Sequence, residues 1–149
     1  MADRPEPSPR DAYRAFRTLT TRWADNDVYG HMNNVVHYAL FDSAVNQYLI
    51  EQGALDIRTG DQIGLVVETR CSYFAEMAYP DRVTAGIRAD RVGRSAVTYG
   101  IGLFRNDDAR AAAEGQFTHV YVDRDSRRPK PLSESLRRAA EAISTELAA

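Results

Sequence analysis

Between Trp23 and Asn34 the chain reads Trp-Ala-Asp-Asn-Asp-Val-Tyr-Gly-His-Met-Asn-Asn, its densest run of side chains able to move protons or hold a polar ligand. Carboxylates at Asp25 and Asp27, an imidazole at His31 and carboxamides at Asn33 and Asn34 stand directly ahead of an apolar run that begins at Val35. Carboxylates and imidazoles carry acid–base and nucleophilic chemistry. The plain alternative is a solvated loop in which Asp and Asn cap a helix. Capping takes only one or two such side chains, so the cluster exceeds that need. The apolar residues behind it also make its polar groups border a pocket rather than open solvent.

The elements that must position this loop follow from periodicity. Residues 16–23 alternate and are rich in Thr and aromatics, which predicts a strand. After the loop, Val35, Tyr38, Phe41, Val45, Tyr48 and Leu49 recur at spacings of three and four. They mark one apolar stripe on a helix of about five turns. Asn33 or Asn34 is placed to cap its start, and Gly53 to end it. Beyond residue 62 the period falls to two, predicting strands near 64–76, 81–92, 94–105 and 110–122, the third with a face of Val97, Tyr99, Ile101 and Leu103. Tyr79-Pro80-Asp81, Val92-Gly93-Arg94 and Asn106-Asp107-Asp108 supply the turns. Residues 132–147 close the chain as an amphipathic helix, begun by Ser133 or Ser135 and striped by Leu136, Ala140, Ile143 and Leu147. The expected class is α+β, a long antiparallel β-sheet wrapped around one central α-helix.

Composition narrows the function classes. A length of 149 residues gives one domain with a real core, here expected over 13–149. Residues 1–12, with three prolines and scattered charges, are expected to form a disordered arm and do not read as a signal peptide. A net charge of −2 argues against a nucleic-acid binder, and no apolar stretch is long enough for a membrane helix. The single cysteine, Cys71, sits in an alternating apolar run and reads as a core residue. A reducing, cytoplasmic setting is expected. The spacing of His31, His37 and His119 predicts no metal site, and no cofactor is expected.

Asp25-Asn26-Asp27 followed by Gly30-His31-Met32-Asn33-Asn34 and Tyr38, with Arg22-Trp23 in front, resembles the hotdog-fold acyl-CoA thioesterases of the 4-hydroxybenzoyl-CoA thioesterase type. Tyr73, Asp81, Gly93-Arg94-Ser95 and the closing Arg128-Pro129-Lys130-Pro131 extend the resemblance across residues 16–131. It implies an acyl-CoA substrate and a catalytic role for Asp27, as nucleophile or as general base. It also implies that the backbone around Asn34 polarises the thioester carbonyl, as a helix N-terminus can. Asp27 lies seven residues before Asn34, and Gly30 can fold the loop so that both face one carbonyl. Asn33 and Tyr38 are expected to shape the substrate site with His31, which lines its entrance. Asp25 is expected to hold the loop by local hydrogen bonds.

Coenzyme A carries phosphates, and the resemblance puts its contacts at Arg94 and Ser95. A charged sheet edge is the other reading of Arg88, Arg91 and Arg94. The resemblance further implies a homodimer or homotetramer with sites built from two subunits. Tyr29, Met32, Tyr38 and Phe41 are candidates to line an acyl pocket. Two other functions fit the same fold. One is an enoyl-acyl hydratase or dehydratase pairing an Asp with His31, although the spacing and the missing proline depart from that pattern. The other is a non-catalytic acyl-CoA-binding domain.

Overall fold

The structure, a computed structural model, describes residues 5–145. Strand β1 (Ala15–Thr20) leads into helix α1 (Val36–Glu51), then come β2 (Gln62–Tyr73), β3 (Arg82–Val92), β4 (Ala96–Arg105) and β5 (Ala113–Asp123), and α2 (Glu134–Ala142) ends the described chain. The strands form one antiparallel sheet in the order β1-β3-β4-β5-β2. β1 and β2, consecutive in sequence, therefore lie on opposite edges. The segment between them must cross a whole face of the sheet, and α1 is what crosses. This is the hotdog arrangement expected above.

α1 buries His37, Leu40, Phe41, Ala44, Val45, Tyr48 and Leu49, spaced as one helical face. Under it lie the inward sides of β3 and β4. Val97, Tyr99, Ile101 and Leu103 are all fully buried, as alternation along β4 predicted. The expected helix stripe needs correcting at its start. Val35 is 62% exposed and Tyr38 only half-buried, whereas His37 between them is buried, so the inward face of the first turn is carried by His37. The helix ends as expected: Gly53 adopts φ +70°, its N–H reaches Ile50 O (3.0 Å), and Ala54 N–H reaches Leu49 O (2.9 Å). Phe41 approaches β5 so closely that only a glycine fits beneath its ring, and residue 115 is that glycine.

Strand boundaries fall within a few residues of expectation. In α2, Ser133 is the cap, its hydroxyl accepting the Leu136 N–H, and Leu136, Ala140 and Ile143 are buried. Leu147 and the last residues of that expected helix lie outside the described residues, as do the first four of the N-terminal arm. From residue 5 onward the arm is not disordered. Ser8 N–H and the Tyr13 hydroxyl both donate to Glu114 (3.0 and 2.9 Å), and Ala111 N–H donates to Ser8 O (3.0 Å). Arg10 lies over the Phe104 ring at 4.8 Å. The arm's composition offers no apolar face, but Tyr13, just past it and 4% exposed, anchors it across the outer side of the sheet.

Candidate active site

Local hydrogen bonds fold the polar loop ahead of α1 into a rigid unit. Arg22 N–H donates to Asp25 Oδ2 (2.8 Å), and Arg22 Nε and Nη2 donate to Asp25 Oδ1 (3.0 and 2.8 Å). Asp25, 2% exposed, spends its carboxylate on this pairing. Its carbonyl accepts the Asn33 N–H at 2.9 Å and closes the loop. Inside that closure, Asp27 N–H reaches His31 O (2.9 Å) and Gly30 N–H reaches Asp27 O (3.1 Å), a tight turn that Gly30 completes at φ +85°. Two ties fix the loop to the segment after β2: Met32 N–H to Met77 O (2.6 Å), and Tyr79 N–H to Asn26 Oδ1 (3.0 Å).

These constraints leave Asp27 on the wall of a cleft of about 480 Å³ that also presents His31, Asn34, His37 and Tyr73, with Met32 and Met77 among its apolar lining. The Asp27 side chain is 22% exposed, so it faces the cleft and not bulk water. Its Oδ1 accepts the Tyr29 N–H at 2.8 Å. Oδ2 lies 3.9 Å from His31 Nδ1, beyond hydrogen-bond length, and stays available to a bound group. On the other side of His31, Nε2 is 3.8 Å from Glu76 Oε1. The imidazole thus stands between two carboxylates at the cleft mouth.

The first turn of α1 contributes backbone groups. Val35 N–H is capped by Asn33 Oδ1 (3.1 Å) and Val36 N–H by Asn33 O (2.9 Å). Among the described residues, the Asn34 N–H has no hydrogen-bond partner. A free N–H at the positive end of a helix dipole is suited to an oxygen that gains charge. The Asn34 carbonyl accepts the Tyr73 hydroxyl at 2.8 Å and faces His37 Nδ1 at 3.2 Å. Burial pushes His37 below the ordinary histidine range, partly offset by the Asn34 and Asn33 carbonyls. Burial likewise raises the Tyr73 phenol.

A family model described as the thioesterase-like superfamily matches residues 21–140. The chain belongs to that superfamily. The solved structure of protein PA5185 from Pseudomonas aeruginosa PAO1 is 48% identical and superposes with a TM-score of 0.91, over 93% of this chain and 97% of that one. More distant folds of the same kind include a DHNA-CoA thioesterase from Staphylococcus aureus (19% identity, TM-score 0.75, 86% and 87% of the two chains). Another is Slr0204, a 1,4-dihydroxy-2-naphthoyl-CoA thioesterase from Synechocystis (19%, 0.76, 84% and 93%).

In this superfamily member the cleft gathers Asp27, His31 and Asn34, but not every residue expected at the site. Asn33 serves as a cap, with its side chain turned to the Val35 N–H. Tyr38 packs edge-on against Phe41 (5.9 Å) and does not line the cleft. His37, one position earlier, does. Arg94 and Ser95 sit at the far end of the sheet: from Ala96 to Leu103, which lies level with Ala113 and Tyr73, is seven steps of β4, or roughly 23 Å. Their carbonyls bind Leu132 N–H and Tyr121 N–H (2.9 and 2.7 Å). Nearby Arg88 pairs with Asp90 at 2.6 Å and covers the Tyr13 ring. Cys71 packs against the core, and burial pushes its thiol up to about 11, unlike a nucleophile. Among the described residues no group of three His, Cys, Asp or Glu could hold a metal ion.

His37, Tyr73 and Glu76 are the polar cleft residues that sequence reasoning did not assign to the site, and Phe74, Ala75 and Met77 add apolar lining it also missed. His37 carried a signal: it stands one helical turn after Asn34, on the buried face of the stripe. Glu76 carried none, because it belongs to an irregular segment between strands.

Proposed function

We propose that this protein hydrolyses acyl-CoA thioesters to a free acid and coenzyme A, a reading of the 4-hydroxybenzoyl-CoA thioesterase type. The observation that carries it is the meeting of Asp27 Oδ2 and the free Asn34 N–H on one cleft at the positive end of α1. A thioester carbonyl seated there has its oxygen polarised by the N–H. Asp27 either attacks the carbonyl carbon, giving a mixed anhydride that water then cleaves, or takes a proton from the attacking water. Both routes break the C–S bond, and the thiolate leaves without needing a strong acid. His31 sits where it can exchange protons with Asp27 at the entrance. Oxygen-18 from labelled water, sought in the Asp27 carboxylate after single turnover, distinguishes the routes.

The coenzyme A contacts at Arg94 and Ser95 belong to this reading only through a second copy of the chain. β2 is an edge strand with Leu65, Val66 and Val67 exposed at 40%, 47% and 60%, an edge that favours a partner strand. Antiparallel two-fold pairing of β2 with its copy sets the Tyr73 end of one beside the Gln62 end of the other. The second copy's Arg94 end then approaches the first copy's cleft. A homodimer, or a homotetramer built from it, is expected in light scattering; a stable monomer would remove the phosphate contacts from the proposal. The cytoplasm is the compartment this reading implies.

The test is thiol release across short, medium, long and aryl acyl-CoAs, with Asp27→Ala and Asp27→Asn as controls. Turnover should fall at least about a hundredfold in both, with the melting temperature little changed. A folded Asp27→Ala protein with full activity discards the assignment. The Asp27–His31 approach also suits proton movement on an acyl chain. Hydration of crotonyl-CoA without thiol release would therefore transfer the reaction to a hydratase, and binding without either reaction would leave a carrier.

A further inference from the structure

The start of α1 departs from an ordinary helix in one respect. The Asn34 carbonyl would normally accept the Tyr38 N–H four residues on, but that N–H goes to Val35 O (3.2 Å), and Val36 N–H likewise reaches back three residues to Asn33 O (2.9 Å). Among the described residues the Asn34 carbonyl takes no backbone donor. Two side chains from different elements take it instead: Tyr73 at the end of β2 donates its hydroxyl (2.8 Å), and His37 within α1 offers Nδ1 (3.2 Å). The rings meet edge to face with centroids 4.7 Å apart, so each limits the other's freedom. His37 is 4% exposed, and its burial favours the neutral ring, whose one N–H then belongs on Nδ1.

We propose that His37 and Tyr73 are positioning residues that hold residue 34 by its carbonyl and thereby aim its unbonded N–H into the cleft. The inference rests on the hydrolase reading above. The peptide that bears the Asn34 carbonyl stands outside the helical ladder: its N–H, on Val35, bonds the Asn33 side chain (3.1 Å), and its carbonyl is the end left to be fixed from other elements. A donor meant for a developing oxyanion must nevertheless be set before the reaction, since reorienting it during the step would cost part of the stabilisation it supplies. The clamp provides that from outside the ladder, which frees both ends of residue 34 from helical bonding. Neither clamp residue touches the reacting atoms in this account.

The experiment compares Tyr73→Phe, His37→Phe and His37→Asn with the parent and with Asp27→Ala, using thiol release from the best substrate of the acyl-CoA panel. Losing one oxyanion donor outright costs about a hundred- to a thousandfold in kcat. Loosening it should cost about tenfold for either Phe variant, with KM changed less than about twofold. His37→Asn, whose amide can replace the Nδ1 donor, should recover kcat to within about threefold of the parent. The Asn34 amide resonance should exchange faster with solvent in Tyr73→Phe, while melting temperatures stay within about 3 °C. Unchanged kcat in both Phe variants, or a loss that His37→Asn fails to restore, overturns the clamp while leaving an Asp27-dependent hydrolase standing. Full activity in Asp27→Ala overturns the hydrolase reading and the clamp with it.

Discussion

A methyl group at residue 115 should disturb the site from a distance, and the size of the effect can be worked out from one contact. A Cβ built on Gly115 lies 2.5 Å from Phe41 Cζ, closer still to Cε2, and 2.9 Å from the Arg70 carbonyl oxygen. Carbon atoms rest at about 3.5–4.0 Å, so ring and strand must separate by roughly 1 Å. The Phe41 ring cannot swing aside: it is fully buried and met edge-on by Tyr38 at 5.9 Å and Phe117 at 6.4 Å. What remains is a shift of α1 away from β5. Overpacking of this kind costs about 1–3 kcal/mol, and the locked ring and backbone neighbour put Gly115→Ala near 3. Relief of glycine's backbone freedom returns at most about 1 kcal/mol.

A net loss of about 2–3 kcal/mol lowers the melting temperature of a chain this size by roughly 4–12 °C. Because Asn34 leads directly into α1, a shift near 1 Å also misplaces the N–H proposed to polarise the carbonyl, and errors of that size can cost about a hundredfold in rate. Calorimetry and thiol release on Gly115→Ala, Phe41→Leu and the double variant test both claims together. Leucine lacks the ring edge that clashes, so the double variant should be more stable than the sum of the single losses by at least about 1 kcal/mol, and should regain part of the lost kcat. A Gly115→Ala protein that melts within about 1 °C of the parent, or a double variant showing simple additivity, would refute the reasoning.

The N-terminal arm should prove structural: Tyr13→Ala is expected to cost about 3 kcal/mol and to speed tryptic cleavage after Arg10 and Arg14, and equal cleavage rates would count against it. The buried hydroxyl pair of Tyr99 and Tyr121, 2.7 Å apart, predicts that Tyr99→Phe costs about 1 kcal/mol, because the Tyr121 hydroxyl is left with only the longer contact to His119 Nδ1 at 3.4 Å, whereas the double Phe variant costs less than twice that; urea titration reads both. Stability should fall on mild acidification. His37 and His119 are both pushed below their ordinary value of 6.5 by burial. Below pH 6.5 the unfolded chain therefore binds protons that the folded chain refuses. Their contribution is complete above about pH 7 and is lost as the pH falls through 6.5 towards the depressed values, at up to about 1.4 kcal/mol per pH unit for each histidine. Melting curves from pH 7.5 to 5.5 should show the loss, reduced in His119→Phe, and an equal loss in that variant would rule His119 out as a source.

The sequence carried most of the fold because its two periods are clean. β4 alternates without exception from Val97 to Leu103, and α1 keeps its apolar spacing from Phe41 to Leu49. Errors came where a residue's surroundings depend on distant chain. Val35 fits the helical period but is exposed, the buried place in its turn going to His37, and Tyr38 fits it while packing on Phe41 instead of lining the cleft. The arm looked disordered because its anchor points, Glu114 and Phe104, lie about a hundred residues away. In the site, the Asp27–Asn34 loop was legible because its geometry is local, closed by bonds such as Asp27 N–H to His31 O. Tyr73 and Glu76 reach the cleft from β2 and the segment after it, a pairing that no local pattern encodes. The same limit separates Arg94 from Asp27, since their distance is set by sheet register.

Asp25 and Asp27 illustrate why motif position alone does not settle chemistry. One residue separates them, yet three N–H groups of Arg22 saturate the first carboxylate, and burial then fixes it in place. A carboxylate held by three donors would have to break those bonds before it could attack a carbonyl carbon or take a proton. Asp27 gives one oxygen to the Tyr29 N–H and keeps the other towards the cleft. That single backbone bond orients the carboxylate without neutralising it. The rigid outer pair supports the role proposed for the inner carboxylate: Asp25 O holds the Asn33 N–H, which sets residue 34 and the helix start against the turn that carries Asp27.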